Sequence, residues 1–317
     1  MTKNIRITPI GRLGNGMFQY LLARILQLQV PEAVISGLDL PQFGIECGAG
    51  ATEPADAHRI EIAGHVFRFA ETAEALRRFD SVTVDIRWMC MRMEYFRQHL
   101  AFARSLFSID PSLQMGFDER YLVISIRAED VLKGEHPNYT LLPIAWYRDL
   151  IERSGLSPVF VGQLADDPYT LELRKCFPAA RFIAHANPLD DFNVFRTSTN
   201  LVLSVSSFAW LAAWLSTSAR RIVLPVAGIY NPLDRPDVDL LPVHDRRYEF
   251  HLFQPEHWTG SAEQLAARIE GPADAGSLEA LSWPSLYRAR VTWKLARSGR
   301  LPVGVSLLKE LSVAVTG

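Results

Sequence analysis

A chain of 317 residues with 48% hydrophobic and 21% charged side chains is long enough for two domains with separate cores, and its composition excludes disorder and fibre as its main character. Its net charge of −2 gives no general reason to expect a nucleic-acid partner, whose phosphates favour a clearly basic surface. Three cysteines, Cys47, Cys90 and Cys176, lie far apart without CxxC or Cys/His spacing, so neither a disulfide framework nor a zinc site is expected and the thiols read as reduced.

The first residues, MTKNIRITPI, run directly into structure without a long apolar segment, so no signal peptide is expected. Nowhere does the chain approach the roughly 18 consecutive apolar residues of a membrane span. Ile5 to Thr8 alternates apolar and polar as a half-buried strand does, and Met17, Phe18, Leu21, Leu22, Ile25 and Leu26 recur at helical spacing up to Pro31. Between them stands Gly11 to Tyr20, GRLGNGMFQY, a glycine-punctuated turn into a helix. Unpaired N–H groups at such a helix start suit a diphosphate or another oxygen-rich group.

Further strands are predicted at Ala33–Gly37, His58–Ile62 and Ser81–Ile86, with a helix over Glu71–Phe79 and a mainly helical stretch over Met91–Phe107. The loop from Pro41 to Pro54 is long for a plain connection and reads as functional or mobile. The first domain closes near Pro111. In the second half, Tyr121–Ile126 is a nearly continuous apolar run, as a strand buried on both faces requires. After it alternate a helix over Ile144–Ser154, a strand at Pro158–Val161, a helix after Pro168, a strand at Arg181–Ile183, a helix from Asp190, a strand at Leu201–Ser204, a helix over Phe208–Ser216 and a strand at Arg221–Leu224.

Strands separated by helices make parallel sheets with crossovers, so the fold class is α/β, as two Rossmann-like domains facing a cleft. The predicted division is 1–111, 112–260 and a C-terminal helical extension over 261–317. From Gly228 the periodicity weakens, with Pro232, Pro236 and Pro242 breaking any long element before a helix at Ala262–Ile269. In the last forty or so residues Arg288, Arg290, Lys294, Arg297 and Arg300 are interleaved with Trp283, Leu286, Tyr287, Val291 and Trp293. Two readings stand side by side: a helix packed on the body with a solvated basic face, which charge runs favour, and a peripheral contact with an anionic membrane.

Ligands of parallel α/β sheets bind beyond the carboxyl ends of the strands. The residues that fall there are Gly14 and Asn15; Arg127, Glu129 and Asp130; Asp166-Asp167-Pro168; and Ser206-Ser207-Phe208. Together they supply a glycine loop, one cation, hydroxyl donors at a helix start and carboxylates. Each has a plainer use. Arg127 can pair with Asp130 as a structural ion pair, Ser206-Ser207 and Asp166-Asp167-Pro168 suit helix starts, and Trp210 and Trp214, four apart, suit the core better than a sugar platform.

GRLGNGMFQY resembles the GxLGNQMFQY segment of bacterial α-1,2-fucosyltransferases, and its RLGN is similar to the RFGNQ segment of protein O-fucosyltransferases. Ile124–Asp130 resembles the H-x-R-R-x-D motif of the same superfamily, Leu142-Pro143 to Trp146-Tyr147 the helix start after it, Val159 to Pro178 the FxSDD or ATDDP segment, and Asp191 to Leu215 the SSFSWW-x-AWL segment. The matches run in the family's order over roughly residues 5 to 225.

The resemblance implies a GT-B-type, inverting, metal-independent glycosyltransferase that moves fucose from GDP-fucose to a hydroxyl of an acceptor glycan, free or lipid-linked, in an α-1,2 linkage of bacterial surface polysaccharide. Neither cofactor nor metal is implied, and the location implied is the cytoplasm or the inner membrane face. By motif, Arg127 matches the catalytic arginine on the β-phosphate, Gly14 and Asn15 the loop near the diphosphate, Ser206, Ser207 and Phe208 the phosphate-side segment, and Asp191 a guanine-side acid; Ser125, Asp166 and Asp167 complete the implied donor site. A guanidinium there can stabilise the charge that builds on the leaving diphosphate. Ser125 stands where the family has His, Ala128 where many members have a second Arg, Gly16 for Gln and Leu211 for Trp. Two alternatives follow from these departures, another nucleotide-sugar donor and a non-catalytic binding relative. An NAD-dependent oxidoreductase is disfavoured because Gly11-x-x-Gly14-x-Gly16 has the wrong spacing for G-x-G-x-x-G. For the general base the sequence offers Glu46, Asp39 and Glu129 without ranking them.

Overall fold

The computed structural model describes residues 2–48, 50, 57–109, 115–273 and 291, together with the backbone of 277–280. Over these residues the chain divides into two compact units, the first from the residues up to 109 with Asp237–Leu241, the second from residues 115–236 and 242–273.

In the first unit, strands β1 (Thr2–Ile7), β2 (Val34–Ser36), β3 (His58–Ile62) and β4 (Ser81–Ile86) form a wholly parallel sheet in the order β2-β1-β4-β3. Ile5, Ile7, Val82, Val84 and Ile86 bury one face of the two central strands. Against that sheet lies α1 (Leu13–Gln29), whose Met17, Phe18, Leu21, Leu22, Ile25 and Leu26 are fully buried at the predicted spacing. The start of α1 lacks a side-chain cap. Instead the buried Gln19 amide reaches back, Nε2 donating to Thr8 O (2.8 Å) and Oε1 accepting from Ile10 N–H (3.2 Å), which ties the β1–α1 loop to the helix. The helices α2 (Phe69–Arg78), α3 (Met93–Phe96) and α4 (Leu100–Leu106) follow, with a 3₁₀ turn at Arg97–His99. The mainly helical stretch over Met91–Phe107 is thus two short helices joined by that turn.

Strand formation in the second unit follows the apolar runs: β5 (Tyr121–Ile126), β6 (Ser157–Gly162), β7 (Arg181–Ile183), β8 (Asn200–Val202), β9 (Arg221–Val226) and β10 (Tyr248–Phe253) are all parallel, and β11 (Ser277–Ala280) is antiparallel to β10. The sheet order β7-β6-β5-β8-β9-β10 is, numbered within the unit, 3-2-1-4-5-6, the order of a dinucleotide-type Rossmann sheet. Central residues such as Leu122 to Ile124, Val159 to Val161 and Ile222 to Leu224 are inaccessible on both faces, which is why those strands read as continuous apolar runs. The covering helices are α5 (Glu129–Leu132), α6 (Ile144–Ser154), α7 (Pro168–Cys176), α8 (Pro188–Thr197), α9 (Ser207–Leu215) and α10 (Ala262–Glu270). Trp210 and Trp214 are buried in α9, stacked at 5.5 Å, so they belong to the core.

Two expectations need correction. The segment after Gly228, where the periodicity weakens and no strand is predicted, holds β10; its Tyr-Glu-Phe-His-Leu alternates apolar and polar, and His251 is buried although it stands at a polar position. Trp146 Nε1–H donates to His251 Nδ1 (3.1 Å), so the ring proton sits on Nε2 and is shared with Glu249 Oε1 (2.7 Å); packing satisfies a polar side chain that the pattern could not. The other concerns the opening turn, where only Gly11 (φ 69°) is left-handed and Gly14 and Asn15 already lie in the first turn of α1. Most of the 41–54 loop from residue 49 onward, the predicted closure near Pro111 and the basic stretch from Trp283 to Arg300, Val291 apart, lie outside the described residues.

Candidate functional site

A doubly wound sheet opens a crevice where successive connections leave a strand in opposite directions. In the second unit that point lies between β5 and β8, since the chain runs from β5 outward through β6 and β7, then returns to β8 and continues through β9 and β10. Ser125 on β5 and Ser204 just past β8 share a hydrogen bond of 2.8 Å across this junction, both buried. Ser125 therefore knits the two strands together beneath the crevice.

Arg127 leaves the carboxyl end of β5. Its Nε and Nη2 bind Asp130 Oδ1 and Oδ2 at 3.2 and 2.5 Å, a bidentate pair, and its guanidinium carbon lies 3.9 Å from the centre of the Tyr139 ring. The side chain is 17% exposed and Asp130 only 6%. Burial works against the charge, but Asp130 and Tyr139 more than offset it and push the guanidinium pKa up. The result is a fixed cation with part of its surface open. The loop that carries it is fastened from β6, because Gln163 Oε1 accepts the N–H groups of both Ala128 (3.1 Å) and Glu129 (3.2 Å).

Across the junction, Ser206 caps α9 by accepting from Ala209 N–H at 3.4 Å. Its own backbone is gripped by Tyr230, which accepts from Ser206 N–H (3.0 Å) and donates to Ser206 O (2.7 Å). Burial holds the Tyr230 phenol well above its ordinary pKa, so it stays a donor. Ile229 N–H donates to Asn138 O at 2.8 Å, so the turn that carries Tyr230 also braces the loop that carries Tyr139. Ser207 is buried, and Phe208 meets Phe192 of α8 at 5.4 Å between ring centres.

Farther along the same edge, Asp167 caps α7 through Thr170 N–H and Oγ1–H, both at 2.8 Å, while Asp166 is exposed. Asp191, beside Phe192, pairs with His185 Nδ1 at 2.6 Å; burial raises its pKa and His185 works the other way. Arg127, Ser125, Asp166, Asp167, Asp191 and Ser206 to Phe208 thus all come from the carboxyl edge of one sheet or the strand ends beneath it. Gly14 and Asn15 belong to the other unit, at the carboxyl end of its β1. Of the three base candidates, Asp39 and Glu46 are exposed in the first unit, with Asp39 Oδ1 accepting Cys47 N–H at 2.8 Å, and Glu129 is exposed beside Arg127.

Sequence reasoning missed Tyr139, Gln163 and Tyr230. None stands in a recognisable motif; each matters through a contact with a residue 12 to 35 positions away. Among the described residues no group of three or more His, Cys, Asp or Glu side chains is placed to hold a metal ion, and no helix is long and apolar enough to cross a membrane.

No protein-family profile and no curated protein matches the chain. Solved structures do resemble it. A mutant of Arabidopsis thaliana FUT1 in complex with GDP is 10% identical with a TM-score of 0.47, over 83% of this chain and 73% of that one. The E. coli heptosyltransferase WaaC with ADP is 13% identical with a TM-score of 0.37, over 70% and 86%. The iron-containing dodecameric glycosyltransferase TibC from enterotoxigenic E. coli is 13% identical with a TM-score of 0.43, over 94% of this chain and 77% of its own. Likeness of this degree assigns neither a residue nor an activity, and what the chain has in its own right is an α/β architecture of two parallel-sheet units, the larger in Rossmann order.

Proposed function

We propose that the chain is a GT-B-type glycosyltransferase that uses a nucleotide sugar, with the diphosphate at the β5/β8 junction. The observation that carries this reading is Arg127, a bidentate-paired, ring-backed guanidinium at a topological switch point, opposite the capped N-terminus of α9. Transfer of a glycosyl group breaks the bond from the anomeric carbon to the β-phosphate oxygen and leaves charge on the nucleoside diphosphate. A cation held before the reaction begins, near the positive end of a helix, stabilises that charge without reorganisation. On the ordered motif resemblance, the donor is GDP-fucose and the acceptor a glycan hydroxyl of a surface polysaccharide, linked α-1,2 with inversion and without a metal ion. Asp191 then takes the guanine side, and Gly14 and Asn15 match the family's loop near the diphosphate. The divisions 1–111 and 112–260 serve acceptor and nucleotide.

A second reading, the same chemistry with another nucleotide sugar, is favoured by Ser125 and Ala128. Both are buried, Ser125 bonding to Ser204, so neither adds a cation or donor to the crevice.

Thermal shift with GDP-, ADP-, UDP-, dTDP- and CMP-linked sugars tests the donor, because a ligand at a hundredfold excess over its Kd adds about 2.7 kcal/mol to apparent stability. Stabilisation by GDP-fucose above the others is expected. For the chemistry, Arg127→Ala alone would strand the buried Asp130, so the variant to assay is Arg127→Ala with Asp130→Asn. Its transfer rate should fall by about 100- to 1,000-fold; full activity in the folded double variant would sink the assignment. Nucleotide binding with no turnover on a broad acceptor panel would make the chain a non-catalytic relative.

A further inference from the structure

Beyond the carboxyl ends of β9 and β10, wholly inside the second unit, lies another concavity of about 220 Å³. Gly228, Phe253, Thr140, Leu142, Glu256 and Arg268 are among the residues that line it. It is not part of the Arg127 crevice, but the two share a partition. Thr140 follows Tyr139, Gly228 precedes Tyr230 by two residues, and the bond from Ile229 N–H to Asn138 O closes the seam between them.

The lining is built around a buried guanidinium. Arg268, in the last turn of α10, is 8% exposed. Its Nε donates to Leu141 O (2.8 Å), Nη2 approaches Thr140 Oγ1 (3.5 Å) and pairs with Glu256 Oε2, and the group lies 5.6 Å from the Trp258 ring. Among the described residues Nη1 has no partner. Glu256 is itself held, Oε1 accepting from Gln264 Nε2 at 3.1 Å. Behind it sits Asp234, which takes the Glu256 backbone N–H and whose Oδ2 is buried without a partner. A charged pair taken out of water is costly unless its remaining donors and acceptors are used.

The chemistry selects the occupant. Glu256, with Asp234 behind it, repels a simple anion, and Arg268 repels a simple cation. A neutral molecule that both donates and accepts satisfies the pair, and vicinal hydroxyls do so in the spacing of a guanidinium beside a carboxylate. Phe253 and Leu142 offer an apolar face for the ring carbons. At about 220 Å³ the space is below the roughly 300–1,000 Å³ of pockets for drug-sized ligands, too small for a nucleotide sugar and suited to one ring. We propose that this pocket binds a single neutral monosaccharide unit, at a site separate from the Arg127 crevice. The inference stands independently of the transferase reading.

The test is saturation-transfer NMR on the full chain with D-galactose, D-mannose, L-fucose and N-acetyl-D-glucosamine as millimolar probes. At least one is expected to receive saturation in the wild type and in the folded Arg127→Ala/Asp130→Asn variant. Gln254→Trp, at an exposed position of the pocket lining, should abolish it. Glu256→Gln should weaken binding about tenfold, the loss of one charge-assisted hydrogen bond. Absence of signal from all four sugars, survival of the signal in Gln254→Trp, or its displacement by inorganic phosphate would each overturn the proposal. Nucleotide-sugar stabilisation in the thermal-shift assay is read separately, so failure of one inference is distinguishable from failure of the other.

Discussion

Arg127, partly open, and Arg268, buried, are two guanidiniums in one unit, and what surrounds each decides what it can bind. Both are paired to a carboxylate, but Arg127 is backed by an aromatic face beside a helix N-terminus, where the local field favours an anion. Arg268 has a second carboxylate behind its partner, which cancels that preference. This second carboxylate, Asp234, is a residue-scale test of the geometry. Burial, aided by Glu256 and only partly offset by a backbone N–H, raises its pKa from the ordinary 3.8 to about 6. A folded-state pKa above the unfolded one means that the stability is present below about pH 4 and is lost as pH rises through about 6. The unscreened equivalent is about 3 kcal/mol, and because the residue is only partly buried screening reduces it to about 1 kcal/mol. Asp234→Asn should therefore be about 1 kcal/mol more stable than the wild type at pH 8 and equal to it near pH 4 in urea titrations. An unchanged pH profile would show that the carboxyl does not feel this burial.

At the scale of elements, side chains as well as backbone join the ligand-facing loops to the sheet. The α9 cap by Ser206 resembles any helix start in sequence, yet here its backbone is also clamped by Tyr230. Ser206→Ala removes only the cap bond and should cost about 1 kcal/mol. Gln19 does comparable work in the first unit, where one buried amide serves an N–H and a carbonyl of the β1–α1 loop. Gln19→Leu leaves both unpaired and should cost about 2–3 kcal/mol, read as a lower urea midpoint with an unchanged slope. A loss as small as that of Ser206→Ala would mean that water replaces the amide and that the loop is not held by it.

For the whole molecule, the acid limit of stability depends partly on how β10 is attached. Glu249 bonds His251 Nε2 (2.7 Å) on its own strand and Arg221 (2.9 Å) on β9, and the His251 bond, with help from Arg221, holds its pKa down to about 2 despite burial. A lowered pKa contributes stability above the ordinary value near 4.5, and that contribution is lost as pH falls toward 2. Glu249→Gln should flatten the stability profile between pH 5 and 3 by about 1–2 kcal/mol after screening; a profile as steep as the wild type's would assign the acid sensitivity elsewhere.

The sequence by itself determined the α/β class, nearly every strand of both sheets, and the local order of strand, loop and helix around Arg127 and Ser206. These follow from period-2 and period-3.6 burial and from caps and prolines, which act between near neighbours. Only the tertiary structure decided which strand lies beside which, and so where the β5/β8 crevice opens, because strand order is a property of crossovers rather than of any segment. It decided that Ser125 faces Ser204 beneath the crevice, that Tyr139 backs Arg127, and that His251 of β10 is buried against Trp146. It also brought Thr140, Gly228, Glu256 and Arg268 to one pocket from positions up to 128 residues apart. Such contacts leave no periodic trace, since each is a single hydrogen bond or ring contact made possible by long-range packing.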